Sequence, residues 1–145
     1  MTRYFRFIFC FILGFSFLNC GSKKSTQPPV PVPVQLYQKD GAAINDVLGI
    51  SVAVVGDVNG DGKADFIIGA PGTVGYTGSA YVYSGASGAL LYQKNGAAVN
   101  DFLGNSVAGA GDVNGDGKAD FIIGAHLADP GGLVNAGSAY VISIR

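Results

Sequence analysis

Apolar residues in this chain fall in short clusters rather than at helical spacing. Ser51–Val55, Phe66–Gly69, Ser79–Tyr83 and Leu90–Gln93 are four or five residues long and bounded by Gly, Asp, Asn or Pro. They are rich in β-branched and aromatic side chains, which pack well on a pleated surface, and Gly and Asn at their ends turn the chain cheaply. No window sustains a period near that of a helix. The pattern predicts strands throughout and almost no helix.

The clusters recur. Leu36-Tyr37-Gln38-Lys39 returns as Leu91-Tyr92-Gln93-Lys94, a shift of 55. Leu48-Gly49 and Ser51-Val52-Ala53 return as Leu103-Gly104 and Ser106-Val107-Ala108, and Phe66-Ile67-Ile68-Gly69-Ala70 as Phe121-Ile122-Ile123-Gly124-Ala125. The shift grows to 59 at Gly78-Ser79-Ala80-Tyr81-Val82, which returns as Gly137-Ser138-Ala139-Tyr140-Val141, so four residues are inserted after Ala125. Four short strands per unit of this length are the content of a propeller blade. The expected fold is all-β: two four-stranded antiparallel β-propeller blades, a partial propeller, with the N-terminal segment unstructured or helical.

The longest repeated string carries the chemistry. Asp57-Val58-Asn59-Gly60-Asp61-Gly62-Lys63-Ala64-Asp65 recurs unchanged as Asp112-Val113-Asn114-Gly115-Asp116-Gly117-Lys118-Ala119-Asp120. Acid at loop positions 1, 5 and 9, Asn at 3 and Gly at 6 is the spacing with which a short loop wraps oxygens around a hard cation. The expected ligands are the side chains of Asp57, Asn59, Asp61 and Asp65 with the carbonyl of Lys63. In the second loop they are Asp112, Asn114, Asp116 and Asp120 with the carbonyl of Lys118. Oxygen-only donors select calcium over zinc or copper, so two Ca2+ sites are expected. Crowded carboxylates repel until a divalent ion neutralises them, which couples binding to loop order. The plain alternative is an Asx-turn loop that binds nothing. An EF-hand or dockerin needs an acid at position 12 and flanking helices, and here Ile68 and Ile123 stand at that position inside strand sequence.

Charge supports the emphasis on these loops. All ten acidic residues are Asp, and six of them lie in the two strings. The formal net charge of −1 comes with no basic stripe, so nucleic acid is not an expected partner.

The N-terminus reads differently. Arg3 and Arg6 precede an apolar run from Phe7 to Leu18 that is too short to span a bilayer comfortably, followed by Asn19-Cys20-Gly21. This is the pattern of a secretory signal peptide, with Cys20 where bacterial lipoproteins carry the lipidated cysteine. Release by ordinary cleavage and retention as an uncleaved anchor are the alternatives. Removal of Cys10 with the signal leaves no cysteine pair, so no disulfide is expected. Gly21–Gln35 passes from polar residues into Pro28-Pro29-Val30-Pro31-Val32-Pro33-Val34, a semi-rigid extended stalk. The division is signal 1–20, linker 21–35, first repeat 36–90 and second repeat 91–145. The expected location is the bacterial envelope, exported and lipid-anchored.

In order, Leu-Gly, Ser-Val-Ala, Gly-Asp-Val-Asn-Gly-Asp-Gly-Lys-Ala-Asp, Phe-Ile-Ile-Gly-Ala-Pro and Gly-Ser-Ala-Tyr-Val resemble the FG-GAP repeat of integrin α-subunit propellers and of many bacterial surface proteins. The resemblance runs from Leu36 to the C-terminus. Leu48 and Leu103 replace the Phe that often precedes Gly, and His126 replaces the Pro that stands at Pro71 in the first repeat. The resemblance implies that each repeat is one blade whose calcium loop joins its first two strands. It implies strands near Ile50–Val55, Phe66–Ala70, Ser79–Ser84 and Leu90–Lys94, and a final strand at Ala139–Ile144. The missing last strand has the sequence of Leu36–Lys39, which implies that the N-terminal strand closes the second blade.

Two blades are fewer than the four to eight of a propeller, and repeats bury their faces only against neighbours. The expected outcomes are self-association, docking on another repeat protein, or a part of a longer repeat array. No Ser-His-Asp, Cys-His or Glu pair is available for acid–base work, so a binding or adhesion module with a protein or glycan ligand is expected rather than an enzyme. The lone histidine, His126, is expected in a turn. Tyr37, Tyr76, Tyr81, Tyr83, Tyr92 and Tyr140 are expected in the blade core rather than as sugar platforms. The inserted loop, His126–Asn135, is the most individual segment and the first place to seek a ligand contact.

Overall fold

A computed structural model describes residues 31–145. The expected signal segment, Cys20 and most of the linker lie outside the described residues. Among the described residues no helix is long and apolar enough to cross a membrane.

Gln35–Arg145 form one compact unit. It holds seven strands: β1 (Ser51–Gly56), β2 (Asp65–Ala70), β3 (Ser79–Tyr83), β4 (Leu90–Asn95), β5 (Ser106–Gly111), β6 (Asp120–Ala125) and β7 (Ser138–Ile142). The first four lie within a residue of their expected bounds. They make an antiparallel sheet in the order β1-β2-β3-β4, and the rest make a second, β5-β6-β7. The protein is therefore all-β, two successive blades of four and three strands. The remaining regular structure is a kinked turn at Thr73–Tyr76 and a 3-10 turn at Pro130–Gly132.

Alternation along the strands gives each blade two faces. In the first blade Val54 pairs with Phe66 and Phe66 with Tyr83, while Ala53 pairs with Ile67 and Ile67 with Val82. Val54, Phe66 and Tyr83 thus share one face, and Ala53, Ile67 and Val82 the other. The same register in the second blade puts Phe121 and Ile142 on one face and Ile122 and Val141 on the other. The core forms where the Ile67 face of the first blade meets the Phe121 face of the second. Ile67, Ala80, Val82, Phe121 and Ile123 are all fully buried there.

Close backbone approach knits the blades. Leu103 forms an isolated parallel bridge with Gly78, and its amide donates to the carbonyl of Thr77 at 3.2 Å. A Cβ on Gly78 would collide with the Leu103 backbone, and Gly78 has a φ of +83°, so only glycine suits the crossing.

One expectation is corrected. Leu36–Lys39 does not close the second blade: it carries no strand pairing, and β7 has no partner on its outer edge among the described residues. The segment instead lies on the first blade. The Tyr37 ring stacks on Phe66 with centroids 6.3 Å apart, its hydroxyl donates to the carbonyl of Ala86 at 2.9 Å, and Lys39 Nζ sits 4.6 Å above the Tyr83 ring. The physical reason is the stacking itself. The segment occupies the Phe66 face while the second blade covers the opposite face, so the first blade stands between Leu36–Lys39 and β7.

Of the six tyrosines expected in the core, two pack against it, and none of the six is fully buried. Tyr92 and Tyr140 pack at the margin of the core, Tyr81 and Tyr83 lie half-buried on the Phe66 face, and Tyr76 is exposed and stacks on Phe102.

Candidate metal centre

Both repeated loops follow a bulge at the end of a blade's first strand, between Val54 and Gly56 and between Gly109 and Gly111. Each runs into the second strand, so the position-9 acids open β2 and β6. Positive φ at Gly60 (+81°) and Gly62 (+81°) lets the first loop fold over its own side chains.

The side chains at positions 1, 3 and 5 organise the loop through its amides. Asp57 Oδ1 accepts from the amides of Gly60 (2.7 Å) and Asp61 (3.1 Å), and Oδ2 from Gly62 (2.8 Å). Asn59 Oδ1 accepts from Asp61 N at 2.9 Å, and Asp61 Oδ1 from Lys63 N at 2.9 Å. The second loop repeats this: Asp112 accepts from Gly115, Asp116 and Gly117, Asn114 from Asp116, and Asp116 from Lys118. Asn59 and Asn114 each donate Nδ2 to the position-5 carboxylate at 3.0 Å. These are successive Asx-turns, in which short side chains replace the missing backbone partners. Among the described residues no three acidic, histidine or cysteine side chains converge as a metal-holding cluster.

Amide donors lower two carboxyl groups below the ordinary value. For Asp57 the Gly62 amide is the largest cause, with those of Gly60, Asp61 and Asn59 adding to it against some desolvation. For Asp116 the Lys118 amide leads, followed by the Asn114 side chain, with Ser143 and the Lys118 charge contributing less. A depressed folded-state value means the contribution is full above the unfolded pKa and is lost as pH falls through the folded one. Amide exchange in both loops is therefore expected to stay protected down to about pH 4 and to rise only below it. Loss of protection between pH 7 and 5 would contradict this.

The position-9 acids differ from the others and from each other. Asp65 and Asp120 are fully buried, each 1% exposed. Asp65 Oδ2 accepts from Val58 N at 3.0 Å, and Oδ1 from Gly85 N, in the β3–β4 turn, at 2.9 Å. Asp120 Oδ2 accepts from Val113 N at 2.8 Å, but its Oδ1 is buried with no hydrogen-bond partner. A buried carboxylate oxygen without a donor is costly unless something satisfies it. Its counterpart, Asp65 Oδ1, takes the amide of the β3–β4 turn, and among the described residues no such turn follows β7, so Asp120 Oδ1 lacks that donor. The donor set fits a hard cation in its chemistry: every assigned side chain offers oxygen.

Asp46 and Asp101 are two buried acids that the motif reading missed. Asp46 Oδ2 accepts from Ala42 and Ala43, and Asp101 Oδ2 from Ala97 and Ala98. They are turn-holding residues, and their recurrence at the same 55-residue shift was the signal available in the sequence. His126 lies in the turn after β6 with its ring tilted on Phe102, centroids 5.5 Å apart.

The sequence profile of the FG-GAP repeat matches residues 48–83 and 103–142, so both loops lie inside the matched spans. Integrin alpha-V of Gallus gallus is 41% identical over 87 residues, which are 59% of this chain and 8% of the integrin. Integrin alpha-E of Mus musculus is 37% identical over 94 residues, 56% of this chain and 8% of that protein. Integrin alpha-2 of Mus musculus is 36% identical over 90 residues, with the same shares. The chain thus spans only about a twelfth of each of these relatives. With two blades, a repeated loop at the same place in each and profile matches over both, the chain belongs to the FG-GAP repeat family.

Proposed function

We propose that this chain is a calcium-binding β-propeller-type module on an exported, lipid-anchored bacterial envelope protein, acting in binding or adhesion to a protein or glycan. The observation that carries the reading is the pair of loops with identical oxygen donors, each joining the first two strands of a blade. Asp57, Asn59, Asp61, Asp65 and the Lys63 carbonyl would hold one ion. Asp112, Asn114, Asp116, Asp120 and the Lys118 carbonyl would hold the other. Calcium there supplies charge neutralisation and a cross-link between the first two strands of a blade. The Asx-turns already hold each loop in a closed path, which lowers the ordering cost of binding.

The Asp57 carbonyl accepts from Ala119 N at 3.0 Å, so the first loop is tied to the second. Order gained in either loop therefore bears on the junction of the blades as well as on one hairpin. The module reading is preferred to an enzyme because His126 is exposed with only the Phe102 ring against it, and among the described residues no acid–base partner accompanies it. The lipid anchor rests on Cys20 and the apolar run before it.

Thermal unfolding followed by circular dichroism tests the metal reading. Millimolar calcium is expected to raise Tm, and Asp61→Ala and Asp116→Ala are each expected to remove part of that rise. No response to calcium, with both variants behaving like wild type, would overturn it. A structural role within a larger repeat assembly is the second reading, favoured by the two uncovered blade faces.

A further inference from the structure

Equivalent residues of the two repeats are buried very unequally. Val58 is 0% exposed, whereas its counterpart Val113 is 62% exposed. Val82 is 0% exposed and Val141 is 55% exposed. Both differences follow from one fact: the second blade covers this face of the first, and among the described residues nothing covers the same face of the second. The opposite face shows the reverse. Phe121 is 0% exposed and its counterpart Phe66 is only half-buried, with Val52 and Val54 beside it 66% and 70% exposed. The described residues thus contain one formed junction and carry both of its halves again: the second-blade half is uncovered, and the first-blade half is covered only in part, by Leu36–Lys39.

The N-terminal segment extends the parallel. Within the formed junction, Tyr92 of β4 packs on Phe121 with centroids 5.8 Å apart, and Lys94 sits 4.3 Å above the Tyr140 ring. At the open end Tyr37 packs on Phe66, and Lys39 on Tyr83. The ring of Tyr37 is seated closely: a Cβ on Gly88 would lie 2.6 Å from its Cδ1. Leu36–Lys39, identical in sequence to Leu91–Lys94, therefore places its tyrosine on the first blade as β4 places Tyr92 on the second, while Lys39 reaches Tyr83 where Lys94 covers Tyr140, the counterpart of Tyr81. It lies where the outer strand of a preceding blade would lie, and among the described residues one blade, β5-β6-β7, has no fourth strand.

We infer that copies of this chain associate head to tail. The Ile122–Val141 face of one copy seats on the Val54–Phe66 face of the next, and Leu36–Lys39 of the second copy adds to β7 of the first as its fourth strand. The β3–β4 register, Ala80 with Lys94 and Tyr81 with Gln93, fixes the intermolecular pairing as Ala139 with Lys39 and Tyr140 with Gln38. The contact is heterologous, so it propagates until rotation closes it. Each copy adds two blades, and propellers close with about four to eight, so the ring holds roughly two to four copies. A second copy is the favoured occupant because both complementary surfaces belong to this one sequence. An unrelated partner would account for one open face and leave the other uncovered.

Two surface variants test direction as well as association. Val54→Asp spoils the first-blade face and Val141→Asp the second-blade face. Both positions are exposed in the single chain, so folding is retained, which circular dichroism verifies. By sedimentation the full wild-type chain is expected at two to four times the monomer mass, and each variant alone as a monomer. An equimolar mixture of the variants is expected to form a dimer, because each supplies the intact half that the other lacks. A monomeric wild type, open-ended polymers, or a mixture that stays monomeric would each overturn the inference. Repeating the series in chelator separates this result from the calcium reading, since the faces contain none of the loop acids.

Discussion

Phe121→Ala is expected to cost about 3–5 kcal/mol, the range for removing a fully buried aromatic ring. Domains of this size are stable by only about 5–15 kcal/mol, so the variant should be largely unfolded in moderate urea where wild type is intact. The position explains the size of the effect. Phe121 lies on β6 in the face that meets the first blade, among Ile67, Val82, Ile123 and Tyr92, and has no exposed surface. Removing it leaves a cavity at the one junction that joins the blades. Phe66→Ala deletes the same side chain from the same place in the other repeat, yet Phe66 is half-buried and meets mainly Tyr37 and Tyr83. In the monomer its cost should be near about 1 kcal/mol, since less apolar surface returns to water. The pair therefore reads two levels of organisation. Phe121→Ala should weaken folding at every protein concentration. Phe66→Ala should weaken a concentration-dependent part of stability if copies stack on that face. Equal, concentration-independent losses from both would mean that the two faces are equally buried within one chain.

The contrast shows what the sequence could and could not disclose. Strand identity was legible because β-branched clusters such as Phe66–Gly69 are bounded by residues that turn the chain, and such local rules do not depend on neighbours. Blade number was legible from the repeat itself. Burial was not. Val58 and Val113 have identical sequence surroundings, and only stacking, a property of position within the array, makes one core and the other surface. The tyrosines misled for the same reason, since a strand tyrosine is core only if its face is covered. The path of Leu36–Lys39 was not legible. It has the sequence of part of β4 but carries no strand pairing, and two blades do not turn far enough to return it to β7. In the loops the acids were legible as a set, whereas the division of labour among them was not. Asp57 and Asp112 gather loop amides, and Asp65 and Asp120 are buried at the strand starts. A linear motif gives spacing without saying which oxygen already has a donor.

That division predicts opposite orders of damage from a single substitution made in both repeats. Without calcium, Asp65→Asn is expected to cost about 2–4 kcal/mol: the buried Val58 N–H and the part-buried Gly85 N–H point at the two carboxylate oxygens. The substitution turns one oxygen into a donor facing a donor and weakens the charge-assisted bond that remains. Asp120→Asn in the same buffer should cost less than about 1 kcal/mol, because only Oδ2 has a donor, Val113 N–H. The introduced amide group can take the place of the partnerless Oδ1, and a buried charge is removed at the same time. With calcium present the order should reverse in sensitivity to the ion. A ligand that binds only the folded state at a hundred times its Kd adds about 2.7 kcal/mol. Asp120→Asn removes a carboxylate oxygen that no protein group competes for, so it should erase most of the second site's share of that gain. Asp65→Asn should lose less of the calcium response relative to its own calcium-free baseline, because one lone pair on each oxygen is already engaged by an amide. Urea unfolding of both variants, in chelator and in millimolar calcium, gives the four values needed. Equal costs in chelator would show that Asp120 Oδ1 has found a donor, and an unchanged calcium response in Asp120→Asn would remove that oxygen from the metal site.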